Sequence, residues 1–311
     1  MRIKQFLSAV CIGTMFAACS NEEVTEQKLE RIPIKFTAHI QNLIPSVGTR
    51  VAQGTSGMLT TNFPANSEIQ VGYYGNYEYS NDALITNATG SWGFKDNVLY
   101  LPLDENEVVL GAVYPPLSNN SIGNFLIGHN TYMTPDDQSS ITDYNKADII
   151  GAVAKVSSLT TGPVNLSFEH LSTKIIVKLV GIGDLSGYTI KMTNINKSGL
   201  IQGGSSGFTH SHLPYNVGST ILGNYSSSGQ SAIIVPQTIS SNTDLFEVSN
   251  GDKTYIYTQT SDITFKKGYV YTFNLKFDGT AITVGTISMS GWGSDEDYST
   301  PIDGTLSEQT T

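Results

Sequence analysis

The chain has 311 residues, a formal charge of −10 and two cysteines. That length allows one large or two medium domains with cores of their own. The acidic balance argues against nucleic acid or anionic lipid headgroups as partners, and no phosphate-binding glycine loop, redox cysteine pair or clustered basic patch stands out.

Arg2 and Lys4 precede an apolar run from Phe6 to Ala18 that is too short to span a bilayer as a permanent helix. Residues 1–18 therefore read as a secretory signal. Phe16-Ala17-Ala18-Cys19 closes the run with two small residues before a cysteine and resembles the lipobox of bacterial lipoproteins. The resemblance implies that Cys19 is acylated and becomes the first mature residue, held at the outer membrane by more than one acyl chain. Cys11 leaves with the signal, so the exported chain has no thiol for Cys19 to pair with, and the core alone must hold the fold. Loss of Arg2 and Lys4 takes the formal charge from −10 to −12. Ser20-Asn21-Glu22-Glu23 resembles the acidic export tag of surface lipoproteins and reads equally well as a solvated tether. Residues 19–31, polar and without periodicity, are expected to form a flexible tether or propeptide.

Order is predicted to begin at Ile32. Ile32, Ile34, Phe36, Ala38 and Ile40 alternate with Pro33, Lys35, Thr37, His39 and Gln41, the period-two pattern of a half-buried strand. The pattern predicts further strands at 68–74, 98–103, 108–114, 147–156, 164–168 and 173–180. It continues at 188–195, 231–235, 245–249, 254–259, 269–277 and 281–289, with turn-forming clusters between. No sustained apolar stripe of helical spacing follows the signal, so the chain is expected to be all-β. Many short strands over roughly 250 ordered residues suggest two tandem sandwiches. Ser157 to Pro163 is the most plausible boundary, giving domains at 32–160 and 161–292 and a polar tail at 293–311, and a boundary about twenty residues later is also open.

Gly203-Gly204-Ser205-Ser206-Gly207 matches G-x-S-x-G, but the nucleophile elbow requires a following helix and His210 and His212 lie in a segment with no helical pattern. That histidine pair lacks an evident third metal ligand. Asp136, Asp137, Asp143 and Asp148 lack the spacing of a known calcium loop and read as turn formers. Tyr73, Tyr74, Tyr77 and Tyr79 suit cross-strand packing better than a sugar platform. No catalytic residue, metal site or cofactor is expected.

The lipobox, the strand Ile-Pro-Ile-Lys-Phe-Thr-Ala at 32–38, Thr49-Arg50 and the mid-chain run from Val164 to Ile175, with Phe168-Glu169-His170-Leu171-Ser172 at its centre, together resemble the fimbrillin family. These are subunits of type V pili and their relatives in Bacteroidota-type bacteria. The resemblance implies two transthyretin-like β-sandwiches, export as a lipoprotein, trimming by an arginine-specific protease, and assembly in which a neighbouring subunit's strand replaces the one lost. The expected role is a non-enzymatic pilus subunit or adhesin in the fimbrium, partnered by other subunits, with a host or bacterial surface ligand also open. The alternative is a permanently anchored surface lipoprotein that binds glycan or host protein.

Arginine placement agrees with such trimming. Arg2, Arg31 and Arg50 are the only arginines, whereas residues 51–311 contain eleven lysines. A cut after Arg50, or alternatively Arg31, leaves the body whole, and the later cut also removes the strand at 32–41. A lysine-biased chain with few arginines would show the same distribution by chance. At the other end, Ile282, Val284, Ile287 and Met289 form the candidate donor strand, changing face around Gly285 as a bulge permits. If that segment is integral to its own sandwich, the protein accepts a strand without donating one and belongs at a tip or accessory position.

Overall fold

The computed structural model describes residues 31–40, 63, 65–74, 83–88, 91–103, 107–117, 130–181, 187–204, 207–212, 216–226, 229–278, 280–292 and 300–301. Among these are twenty-two strands and one helix, so the chain is all-β as its alternating pattern predicts. From Arg31 onward it clusters as one compact unit.

The first sheet has seven strands in the order β1 (Phe36–Ile40), β8 (Val164–His170), β7 (Ile150–Val156), β5 (Val108–Tyr114), β2 (Glu68–Tyr74), β3 (Ala83–Thr86) and β4 (Gly93–Phe94). Its inward side chains, including Ile69 and Val71 of β2, Leu110 of β5 and Leu166 and Phe168 of β8, share one buried core. Residues 98–103, expected as a strand, contribute buried Leu99 and Leu101 but form only an isolated bridge, Pro33 to Tyr100.

The second core lies between two sheets. One has six strands in the order β14 (Gly223–Ser226), β15 (Gly229–Ile234), β9 (Thr173–Gly181), β20 (Tyr269–Phe277), β21 (Ile282–Gly291) and β22 (Thr300–Pro301). The other runs β13 (Val217–Ile221), β10 (Thr189–Asn196), β17 (Thr243–Ser249) and β18 (Thr254–Gln259). Phe246 of β17 meets Phe273 of β20 edge to face across this core, centroids 4.9 Å apart. Two small sheets complete the set: β12 (Gly207–His212), β11 (Ser198–Gly204) and β6 (Asn130–Met133), and the pair β16 (Gln237–Ile239) with β19 (Ile263–Phe265).

Two expectations are corrected. Ser157 to Pro163 does not separate domains: it is the loop joining antiparallel β7 and β8, closed by Thr160 N donating to Ser157 O and by Gly162 at φ +82°. Val164–Phe168, assigned to the second domain, thus belongs to the first core, and the buried clusters change over between Phe168 and Ile175. Polar turn chemistry marks a turn, and it is the same chemistry within a sheet as between sheets. The strand expected at 147–156 begins only at Ile150, because Ala147 ends the helix α1 (Ile141–Ala147). Ser140 caps that helix, accepting from Asp143 N at 3.1 Å. Seven residues are too few to display an i, i+3, i+4, i+7 stripe.

The mid-chain Phe-Glu-His-Leu-Ser run joins the two cores, and each of its side chains has a separate task. Phe168 is in the first core, and Glu169 accepts from Lys267 Nζ at 2.7 Å. His170 Nδ1 lies 2.8 Å from Asp148 Oδ1, Leu171 packs with Tyr132, Ile149 and Phe208, and Ser172 Oγ donates to Ala147 O. Burial of Tyr132 in that cluster holds its hydroxyl proton to well above the usual tyrosine range.

Candidate functional site

β1 lies at the seam between β8 and residues 92–101. Its alternation is realised in the structure: Ile34, Phe36 and Ile40 are buried, Lys35, Thr37 and His39 are exposed, and Ala38 is half-buried. Ile32 departs from the pattern with an exposed side chain, while its carbonyl accepts from Leu101 N at 2.8 Å. Arg31, beside it, is exposed.

β1 is held from two sides. It pairs in parallel with β8, in register from Phe36 opposite Val164 to Ile40 opposite Phe168. Val164 N donates to Lys35 O at 2.7 Å, and His39 reaches Asn165 at 3.1 Å and Ser167 at 2.7 Å on the exposed face. On the other side, Ile34 N donates to Leu99 O at 3.0 Å, and bridges join Pro33 to Tyr100 and Phe36 to Trp92. The segment therefore closes the gap between β8 and residues 92–101, with Phe36 edge to face on Phe94 at 5.6 Å.

Neither partner of β1 is its neighbour in sequence, since the side-chain bonds to β8 span 126 to 128 residues. No tight hairpin turn joins β1 to either partner. Burial of Ile34, Phe36 and Ile40 contributes about 1.5–3 kcal/mol each. Its departure would expose Val164, Leu166 and Phe168, together with the unpaired edge of β8.

Cys19 and Arg50 lie outside the described residues. The candidate donor segment is β21, which occupies an interior place in its sheet. It pairs with β20 from Tyr269 opposite Gly291 to Phe277 opposite Ile282, and Ile282, Val284 and Ile287 are buried in the second core, with Met289 packed against it. The register shifts at Asn274 and Leu275, where Gly285 is the extra residue, a bulge at the point where the side chains change face.

The other singled-out residues do not converge. Gly204 and Gly207 close the hairpin between β11 and β12, so G-x-S-x-G sits in a strand–turn–strand, and Ser205 lies outside the described residues. His210 and His212 are on β12, opposite Ile201 and Gly199. Asp136 binds Lys197, Asp137 accepts from Ser139 N, Asp143 sits in the first turn of α1 and Asp148 pairs with His170. Among the described residues no three histidine, cysteine or acidic side chains are placed to hold a metal. The Tyr73 hydroxyl donates to Tyr100 O at 2.6 Å within the first core, Tyr74 is on β2, and Tyr77 and Tyr79 lie outside the described residues.

No curated protein matches the chain. Among solved structures it resembles a proposed cell adhesion protein from Bacteroides ovatus at 19% identity and TM-score 0.59, covering 86% of this chain and 100% of that one. It also resembles one from Bacteroides uniformis at 17% identity and TM-score 0.60, covering 84% and 99%. At these identities the likeness is one of fold. A family model described as fimbrillin-like matches residues 49–292, and the chain belongs to the fimbrillin-like family.

Proposed function

We propose that the protein is a non-enzymatic pilus subunit or pilus-associated adhesin at the cell surface, which accepts a neighbour's strand in place of β1. The observation that carries this reading is the position of β1. It is a strand of matching alternation that closes a seam between β8 and residues 92–101, is buried through three large side chains, lies remote in sequence from its partners, and is followed by an arginine beyond which the chain has none. The family match beginning at residue 49, next to Arg50, fits a leader distinct from the body. Acylation at Cys19 would deliver the precursor to the outer membrane, and cleavage after Arg50 would free the groove for strand addition by another subunit. The interior place of β21 favours a subunit that accepts without donating, at a tip or accessory position.

Mass measurement and N-terminal analysis of protein recovered from the cell surface test this. A mature chain beginning at Val51 and found in polymers is expected. Arg50→Ala should keep β1, fill the groove and leave a monomer, with Arg31→Ala affecting maturation less. A lipidated Cys19 on the mature, unpolymerised protein would instead favour the anchored lipoprotein that keeps β1 and binds glycan or host protein. That second reading draws on the completeness of the first core when β1 is present.

A further inference from the structure

The seat of β1 is a slot bounded on both sides, parallel to β8 and antiparallel to the chain at Trp92 and Tyr100, so any strand that fills it has to match both. Its inner face decides which sizes fit. Ile34, Phe36 and Ile40 are buried, Phe36 against Phe94, whereas Ala38, opposite Leu166, is half-buried. A slip of one residue would turn every side chain to the other face. A slip of two would drive Phe36 against Leu166, where an alanine now fits, and overpacking of that kind is destabilising. A purely aliphatic strand escapes the second of these checks, so the inner face alone leaves its register open.

The outer face carries a separate polar ladder. Asn165 Oδ1 accepts from the Thr37 hydroxyl at 3.3 Å and from His39 Nδ1 at 3.1 Å. His39 Nε2 lies 2.7 Å from Ser167 Oγ, which donates to it when Nδ1 carries the proton. One side chain of β1 thus spans two of β8, giving a donor to the first and an acceptor to the second. Among the described residues, the side chains of Asn165 and Ser167 bond to β1 alone, whereas Glu169, the next outward residue of β8, is engaged by Lys267. Asn165 and Ser167 therefore serve whatever strand occupies the slot and no other part of the fold.

We propose that Asn165 and Ser167 select the incoming strand and set its register, by requiring a hydroxyl in place of Thr37 and a side chain with both a donor and an acceptor, histidine, asparagine or glutamine, in place of His39. Such selection rests on the replacement of β1 proposed above. The matching strand is apolar at the place of Ile34, aromatic at Phe36, small at Ala38 and apolar at Ile40, with those two polar residues between. In residues 293–311 the apolar side chains Tyr298, Ile302 and Leu306 lie four apart, and β21 changes face at Gly285, so neither has the pattern. The strand comes from a different protein rather than from a second copy of this chain.

Fluorescent peptides offered to the full chain test this, after an arginine-specific protease has cut behind Arg50 and left residues 51–311 whole. A peptide with the sequence of residues 32–41 should enter the slot. The same peptide with Thr37→Val and His39→Leu keeps the alternation and should bind about tenfold more weakly. A chain carrying Asn165→Ala and Ser167→Ala should bind both peptides alike, and a peptide of residues 281–290 should not compete. Equal affinity of the parent chain for the two 32–41 peptides would overturn selection by Asn165 and Ser167 while leaving strand replacement intact. Competition by the 281–290 peptide would make a second copy the donor, and uptake of no peptide would remove strand replacement and this selection with it. In the uncut chain, the Asn165→Ala, Ser167→Ala pair should quicken hydrogen exchange across β1 and leave β20 as protected as in the parent. Unchanged exchange at β1 would likewise overturn the role given to these two side chains.

Discussion

The imidazole of His170 lies flat on the indole of Trp292, ring centroids 4.1 Å apart and planes within 4° of parallel. His170 ends β8 in the first sheet, and Trp292 follows β21 in the second, so this stack ties the two sheets together where the chain passes between them. Asp148 at 2.8 Å holds the imidazole from its edge, and all three side chains are buried. Trp292→Ala should lower stability by about 3–5 kcal/mol through lost packing. His170→Ala should cost a similar amount, about 3–5 kcal/mol, because it strands the Asp148 carboxylate in the interior. Urea titration of both variants and the double variant would measure their coupling, expected to exceed about 0.5 kcal/mol. Strictly additive losses would show that the stack carries no joint function.

Gln138 acts as a one-residue strand. Its Nε2 donates to Ile233 O and its Oε1 accepts from Ile233 N, both at 2.8 Å, so the side chain pairs with β15 as a backbone would. The site is fully buried. Gln138→Leu preserves much of the volume but leaves both backbone groups of Ile233 without partners, and should destabilise by about 1–3 kcal/mol. A Gln138→Leu protein as stable as the parent in urea would refute this account.

Alkaline stability should be set by buried tyrosines. Burial raises the hydroxyl of Tyr257 to about 12 from a model-compound value of 10.0, and pushes Tyr271 up as well. A raised folded-state value means that the folded protein retains protons that the unfolded chain releases. The contribution is therefore fully present below pH 10 and is lost as pH rises toward 12. Stability should be insensitive to these groups up to about pH 10 and fall above it. Tyr257→Phe should make the fall shallower, measured as unfolding free energy at successive pH values. An unchanged slope would place the alkaline transition elsewhere.

The fold class and most strands could be read directly because half-buried strands repeat with period two, and Phe36, Phe168 and Phe273 all sit on the face that alternation assigns. The bulge at Gly285 was legible for the same reason, as a break in that period. What was not legible depends on long-range contacts. Ser157 to Pro163 reads identically as a hairpin loop or a linker, and only the pairing of β7 with β8 decides. The tasks of Glu169, His170 and Ser172 depend on Lys267, Trp292 and Ala147, which lie far away or are apolar and silent. The one local signal missed was Ser140-Ile141-Thr142-Asp143, a capping-box pattern ahead of a helix too short to show periodicity.

Whether β1 can open on its own should be set by how firmly it is seated. Phe36 contacts Phe94 and closes the seam between β8 and residue 92, and Phe36→Ala should cost about 3–5 kcal/mol of local stability. Hydrogen exchange should then quicken selectively at Val164, whose amide is bonded to Lys35 O, and leave β20 unaffected. Uniform quickening across both cores would mean that β1 cannot open alone and would weaken the case for its exchange.

Under the proposed function, β21 separates a subunit that only accepts a strand from one that also donates. Withdrawing β21 would break its ladder to β20 along nine paired residues and expose Ile282, Val284 and Ile287, at about 1.5–3 kcal/mol for each side chain. It would also remove Trp292 from His170. By contrast, β22 contributes only two pairs, Thr300 with Met289 and Pro301 with Ser288. Deleting residues 300–311 should therefore leave the second core folded, whereas deleting 281–311 should collapse it, seen as lost protection of β20 amides and early melting. That outcome would assign β21 to the protein's own core and leave it unable to serve as a donor. If the longer deletion instead leaves β9, β20 and β15 protected while abolishing polymerisation, β21 is detachable after all, and the subunit belongs within a shaft.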